Sequence, residues 1–411
     1  MRPFRVRTIS SFINIDPSDF DDGAKSLNEK IKRCSSLLRD GETQMIAAGY
    51  EVQTVRIATN PFGQWLISSS TSTTANTEED DDVVVLNKLH TLNDLLSDYD
   101  IHFCSLGPSY DPKHTTSICP KIVSIAPGRF SCSANVNAGD IDAARASAAC
   151  IKEIASSSKD EGKHMKGGLG NFRFCAASCV HTVPFFPGGR APDSLGKDKV
   201  GFALGLENGG FAKELLEEAR SLENVKTVFH DKMRKELLPI QDICLGLESA
   251  DNNVHFFGID TSLNPSLDSN GSVAEAIECL EEVEIFGGTG SLAAAAAVTT
   301  SLQTIPDIKT TGYSGLMLPV LEDQRLAEID TLTIQQLLCI SSVCGVGIDT
   351  VPIPGEVSVK KLTSLILDVA ALACRWGKPL SCRVFPVPGG SSGMKTTFDS
   401  PYMVNSSIFP L

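Results

Sequence analysis

Residues 199–222 read KVGFALGLENGGFAKELLEEARSL. The first part is a mostly apolar run that ends on Glu207 and reads as a strand. After two glycines, GGFAKELLEEARSL places its apolar residues at helical spacing. A strand feeding a helix is the unit of an α/β fold, and the rest of the chain is read by asking whether that unit recurs.

It does. NNVHFFGIDTS (252–262) is a second strand, ending near Asp260. The helix SVAEAIECLEEV (272–283) follows after a turn with Pro265 and Gly271. Upstream, Ala24–Ala48 has helical spacing and feeds the strand EVQTVRIAT, and VVVLNKLHTLNDLLSDY suits a helix before the strand IHFCSL. KIVSIA (121–126) and NFRFCAAS (171–178) are strand candidates around the helix DIDAARASAACIKEIAS. GGTGSLAAAAAVTTSL (287–302) and EVSVKKLTSLILDVAALACRWG (356–377) read as helices, and SCRVFPVPGG (381–390) as a strand and turn. We expect one α/β domain over 1–411, with the small polar and acidic stretch SSSTSTTANTEEDDD (68–82) as a mobile surface insertion.

Composition narrows the function. Thirty-six basic against fifty acidic residues give a formal charge of −14, which disfavours attraction to nucleic acid or to an anionic membrane. No apolar run approaches the roughly 18–20 residues that span a bilayer. A small-molecule ligand is the expected partner. Thirteen cysteines, an odd number in a long chain, point to reduced thiols in the cytoplasm and give no paired zinc spacing. The N-terminal arginines Arg2, Arg5 and Arg7 suggest a targeting segment only weakly, because Asp16, Asp19, Asp21 and Asp22 follow too closely.

Acids recur after apolar runs beside turn-forming residues: Glu207 in LGLENGG, Asp260 in FGIDTSLNP, Glu322 and Asp323 in LMLPVLED, and Asp349 in GVGIDTVPIPG. Carboxylates gathered at one place can push their pKa values apart, yielding a general acid beside a general base. They also suit a divalent cation, Mg²⁺ or Ca²⁺, and they suit helix caps. Cys344 is a candidate nucleophile with His181 as a base, although a thiol needs a neighbour to ionise and an inert buried cysteine fits equally. Tyr313 and Ser314 in TGYSGLMLP offer hydroxyls to a polar ligand, and Arg190 and Arg383 could clamp an anion or form internal ion pairs. Dinucleotide and phosphate-loop spacings are absent, so no nucleotide cofactor is expected.

The segments SCSANVNAGDIDAARA, VGFALGLENGGFAKE, FFGIDTSLNPSLDSNGSVAEAIE, GGTGSLAAAAA, TGYSGLMLPVLED, SSVCGVGIDTVPIPG and CRVFPVPGG occur in this order between about residues 131 and 390. On them the chain resembles the family called domain of unknown function 711. The resemblance implies a closed α/β barrel of about ten strands surrounded by helices, like that of pyruvate formate-lyase and other glycyl radical enzymes, and a homo-oligomer. It implies no particular reaction. The radical motif itself is missing, because Arg383-Val384 continues into Phe385, Pro386 and Val387 with no glycine. We therefore expect a non-radical hydrolase, lyase or isomerase using carboxylate acid/base chemistry on a small polar metabolite. A non-catalytic sensor or scaffold and a cysteine-nucleophile hydrolase are the alternatives.

Overall fold

The computed structural model describes residues 2–67, 78–157, 165–181, 183–268 and 270–411. Nine strands form one mixed sheet: β1 (Arg5–Ile13), β2 (Val55–Thr59), β3 (Phe103–Ser109), β4 (Phe130–Asn135), β5 (Phe174–Ser178), β6 (Val200–Glu207), β7 (Val254–Asp260), β8 (Gly347–Pro354) and β9 (Leu380–Val387). Their spatial order is β7-β6-β1-β2-β3-β4-β5-β9-β8. β1 to β5 lie side by side in chain order and run parallel. The pairs β6–β7 and β9–β8 flank them and run the opposite way.

Strand alternation decides what each face meets. On one face, Ile9, Val55, Ile57, Cys104, Leu106, Phe130 and Cys132 join the main core. Leu27, Ile31, Cys34 and Leu38 of the helix Lys25–Ala47 bury there too, at the three-and-four spacing of an amphipathic helix. The opposite face carries smaller or polar residues, Ser10, Ala58 and Ser105 among them, and these leave room for the segment 183–191 to lie against the sheet. Ser10 Oγ donates to the Pro184 carbonyl at 2.6 Å, and Ser105 Oγ to that of Gly189 at 2.7 Å. Gly205 is required here, since a Cβ on it would stand 2.5 Å from the Phe185 ring.

Past the edge strand β7, the chain from Lys309 onward runs alongside it. Ile259 N–H donates to the Lys309 carbonyl at 2.8 Å, and Thr311 and Met317 amides donate to the carbonyls of Ile259 and Leu263. The same segment then reaches β8, where Val320 N–H donates to the Asp349 carbonyl at 3.1 Å.

Two expectations, a strand at KIVSIA and a helix over 272–283, need correcting. KIVSIA is helical from Lys121 to Ile125, inside Cys119–Ile125, with Ala126 as the C-cap, because Pro120 in its first turn fits a helix start and a short apolar run does not by itself separate strand from buried helix. The stretch 68–82 lies outside the described residues up to 77, and its remainder belongs to the helix Glu78–Asp98, where acidic residues suit the positive end of the helix dipole. The helix expected over 272–283 is confined to Val273–Ile277.

Candidate functional site

β1 enters the sheet as Arg5-Val6-Arg7, and strand alternation buries Val6 while both arginines turn to the other side. Glu207, the last residue of β6, pairs in register with Arg5. Arg5 Nη1 donates to Glu207 Oε1 at 2.8 Å and Arg7 Nη1 to Oε2 at 2.5 Å, with Gln53 Nε2 adding a third bond at 2.6 Å. Arg7 continues the row with Nη2 at 3.3 Å from Glu322 Oε2. Glu322 Oε1 then accepts from Arg383 Nη2 at 3.0 Å, and Arg383 Nε donates to Asp349 Oδ1 at 2.6 Å. The third edge of Arg383 reaches the Phe172 carbonyl at 3.2 Å, and the Phe172 ring stacks at 4.9 Å from its guanidinium carbon.

Glu207, Glu322, Asp349 and Arg383 are each less than a tenth exposed. Charges so far from water need close partners, and here they form one unbroken row. Burial raises the pKa of Glu322 above the ordinary carboxylate value, although Arg383 and Arg7 oppose it. Burial also works against the Arg383 charge, but Asp349 and Glu322 outweigh it and hold the guanidinium more firmly protonated than usual.

Arg56 completes the group. It faces the same side, its Nε donates to Thr54 Oγ1 at 2.9 Å, and the Phe103 and Phe186 rings lie 5.2 and 5.4 Å from its guanidinium carbon. Burial and then the like charge of Arg7 loosen its hold on its proton, with Glu322 acting in the other direction.

The structure thus brings together three of the expected acids, Glu207, Glu322 and Asp349, with Arg383. It puts the other two in clasps. The Asp260 carboxylate accepts Ser262 Oγ at 2.6 Å and the amides of Tyr313 and Ser314 at 2.9 and 3.0 Å, which fixes the turn after Thr311. A Cβ at Gly312 would lie 2.1 Å from Asp260 Oδ2, and its φ of +68° is a glycine conformation, so this turn and this acid need each other. Asp323 caps two helices at once, accepting Ser272 Oγ at 2.5 Å and the amides of Val273 and Leu326 at 2.8 and 3.1 Å. Asp323→Ala is expected to lower unfolding free energy by about 2 kcal/mol, since several buried donors lose one acceptor; a denaturant midpoint equal to wild type would refute the clasp.

Tyr313 is buried with Val183, Phe185, Met317 and Val346, and Ser314 Oγ donates to the Thr311 carbonyl at 2.9 Å. Arg190 is spent on Tyr110 Oη at 2.6 Å and on Asp193. His181 is exposed. Cys344 is buried, its pKa pushed up to about 11 by that burial, so no ionised thiolate is available near neutrality. Iodoacetamide at pH 7.5 should therefore label Cys344 at least about tenfold more slowly than the exposed Cys339. Fast labelling of Cys344 by peptide mapping would reverse that reading. Among the described residues no three His, Cys, Asp or Glu side chains are grouped to hold a metal ion; of the candidate acids, Glu207, Glu322 and Asp349 are engaged by guanidinium groups and Asp260 and Asp323 by hydroxyl and amide donors.

Gln53 and Arg56 are not among the candidates read from the sequence, and Arg5 and Arg7 enter there only as N-terminal arginines. The signal for the three arginines is their alternation with apolar residues in RVR and VRI. Residues 1–399 match the family model described as Uncharacterised ACR (DUF711). The chain belongs to the DUF711 family. Among its curated relatives, a UPF0210 protein of Methanopyrus kandleri is 29% identical over 262 residues, covering 62% of this chain and 56% of the relative. One from Carboxydothermus hydrogenoformans is 31% identical over 274 residues, 63% of this chain and 57% of its own length. One from Oleidesulfovibrio alaskensis is 29% identical over 304 residues, 69% and 64% respectively. The matches thus span little more than half the length of the first two relatives. No helix among the described residues is long and apolar enough to cross a membrane.

Proposed function

We propose that this DUF711 chain is an enzyme that moves protons on a small polar metabolite bound at the sheet face that carries Arg56, with Glu322 as the acid/base group. The observation that carries the reading is the state of Glu322: burial lifts its proton affinity while Arg7 and Arg383 contact one oxygen each. A carboxyl balanced in this way can take a proton and return it, which is what hydrolysis, elimination and isomerisation share. Glu207 and Asp349 flank it and keep the arginines in place.

We also read the sheet as closing into a barrel, with residues 309–320 as a tenth stave between β7 and β8. The parallel bridges Ile259–Thr310 and Leu263–Leu316 on one side and Pro319–Asp349 on the other support this closure. It would put the row of ion pairs inside the barrel, screened from bulk water.

Incubation of wild type and Glu322→Gln with a mixture of small metabolites, followed by mass spectrometry, tests the enzyme reading. A compound consumed by wild type and left unchanged by the variant supports it. Equal conversion by both refutes it, and a compound bound but returned intact by wild type makes the chain a sensor. The sensor reading has one observation of its own, that both Glu322 oxygens already accept hydrogen bonds.

A further inference from the structure

We propose that Arg56 is the group that recognises the ligand, and that the ligand is a small monocarboxylate; this rests on the acid/base reading of the same site and names its substrate class. Arg56 stands in register with Ser10 on one neighbouring strand and Phe103 on the other. Its Nε is fixed by Thr54 Oγ1, and Thr54 Oγ1 is itself fixed by donating to the Arg7 carbonyl at 2.7 Å. Two phenyl rings, one from β3 and one from the segment 183–191, lie over the guanidinium. The group is thereby oriented before any ligand arrives.

What is left over is the edge formed by Nη1 and Nη2. Arg5, Arg7, Arg190 and Arg383 each donate to a carboxylate. Among the described residues, Arg56 has Thr54 Oγ1 as its hydrogen-bond partner and no carboxylate within ion-pair distance. A half-buried guanidinium in that condition retains an unused pair of parallel N–H donors, the geometry that matches the two oxygens of a carboxylate.

Charge selects among oxyanions. Arg5, Arg7, Arg56 and Arg383 carry four positive charges, against five negative ones: Glu207, Glu322 and Asp349, and Glu51 and Asp268 on the outer side of Arg5. With no cationic surplus around it, Arg56 suits a singly charged carboxylate, whereas a phosphate dianion would bring a second charge into repulsion with Glu322 and the neighbouring carboxylates. Arg7 and Arg383 repel the Arg56 charge, and an anion bound between them would relieve that repulsion. Glu322, which already senses the charge of Arg56, would then sit beside the held substrate.

Isothermal titration of the full chain with acetate, propionate, butyrate and benzoate, and with inorganic phosphate, tests the assignment. At least one monocarboxylate should bind wild type more tightly than phosphate does. Arg56→Gln should weaken it about tenfold or more, the expected loss for a charge-assisted bidentate contact. Arg56→Lys should weaken it as well, because an ammonium keeps the charge without the fork, and it controls for misfolding of the neutral variant. Undiminished binding in both variants, phosphate binding tighter than every monocarboxylate, or no monocarboxylate binding would each overturn the proposal. Failure here is separable from failure of the acid/base reading. Glu322→Gln should still bind the probe, so normal turnover in that variant with binding lost in Arg56→Gln would sink the acid/base role and leave the anion site standing.

Discussion

Arg383→Ala is expected to lower the unfolding free energy by about 3–5 kcal/mol, the range for breaking a buried ion pair by removing one partner. Arg383 donates to Asp349 at 2.6 Å, to Glu322 at 3.0 Å and to the Phe172 carbonyl at 3.2 Å, and all three acceptors lose that donor together. Without the guanidinium, burial acts on Glu322 with its strongest opposing charge removed, and its folded-state pKa rises further above that of the unfolded chain. A carboxyl of that kind contributes stability that is fully present below its unfolded pKa and is lost as pH rises through the folded one. The deficit of Arg383→Ala relative to wild type should therefore be largest near neutrality and shrink as pH falls toward about 5. Denaturant melts over that range measure it. The combination Arg383→Met, Asp349→Asn, Glu322→Gln should recover much of the loss, since it removes the buried charges along with their partner. A loss below about 1 kcal/mol, flat with pH, would mean that water screens the pairs as it does on a surface.

The sequence made the elements legible where periodicity was strong and the partners illegible where contact was remote. The strand ending at Glu207 and the helix after it follow from an apolar run, two glycines and helical spacing, all local signals. The same holds for Asp260 at the end of β7. KIVSIA failed because six apolar-rich residues fit either state, and Pro120 just before them was the cue for a helix. Arg383 was legible as an anion clamp, but its anions are the chain's own Glu322 and Asp349, 61 and 34 residues away. Arg7 meets Glu322 across 315 residues, and no local pattern encodes a distance of that kind. Asp260 and Asp323 looked the same as Glu322 from sequence. They differ because backbone amides and serine hydroxyls surround them, whereas Glu322 meets guanidinium groups, a difference that only the fold creates.

That difference bears on Glu322→Gln, for which we expect turnover to fall by about 10²- to 10⁴-fold on the substrate that the metabolite screen yields, with KM changed by much less. Glutamine keeps the size of the side chain and can still accept from Arg383 through its amide oxygen, and Arg7 retains Glu207 at 2.5 Å, so the variant should fold. What it lacks is a carboxyl group that can gain and lose a proton. Burial raises the Glu322 pKa above the ordinary carboxylate value, so the wild-type profile of kcat/KM should carry a limb displaced upward from that of a free carboxyl. A limb that rises with pH assigns Glu322 as the base in the free enzyme, and one that falls with pH assigns it as the acid. Either limb should vanish in Glu322→Gln and persist, at reduced rate, in Glu322→Asp, which keeps the titrating group but sets it back by one methylene. If Glu322→Gln keeps the wild-type profile with its circular dichroism unchanged, Glu322 is a structural partner of Arg383 and the proton is moved elsewhere.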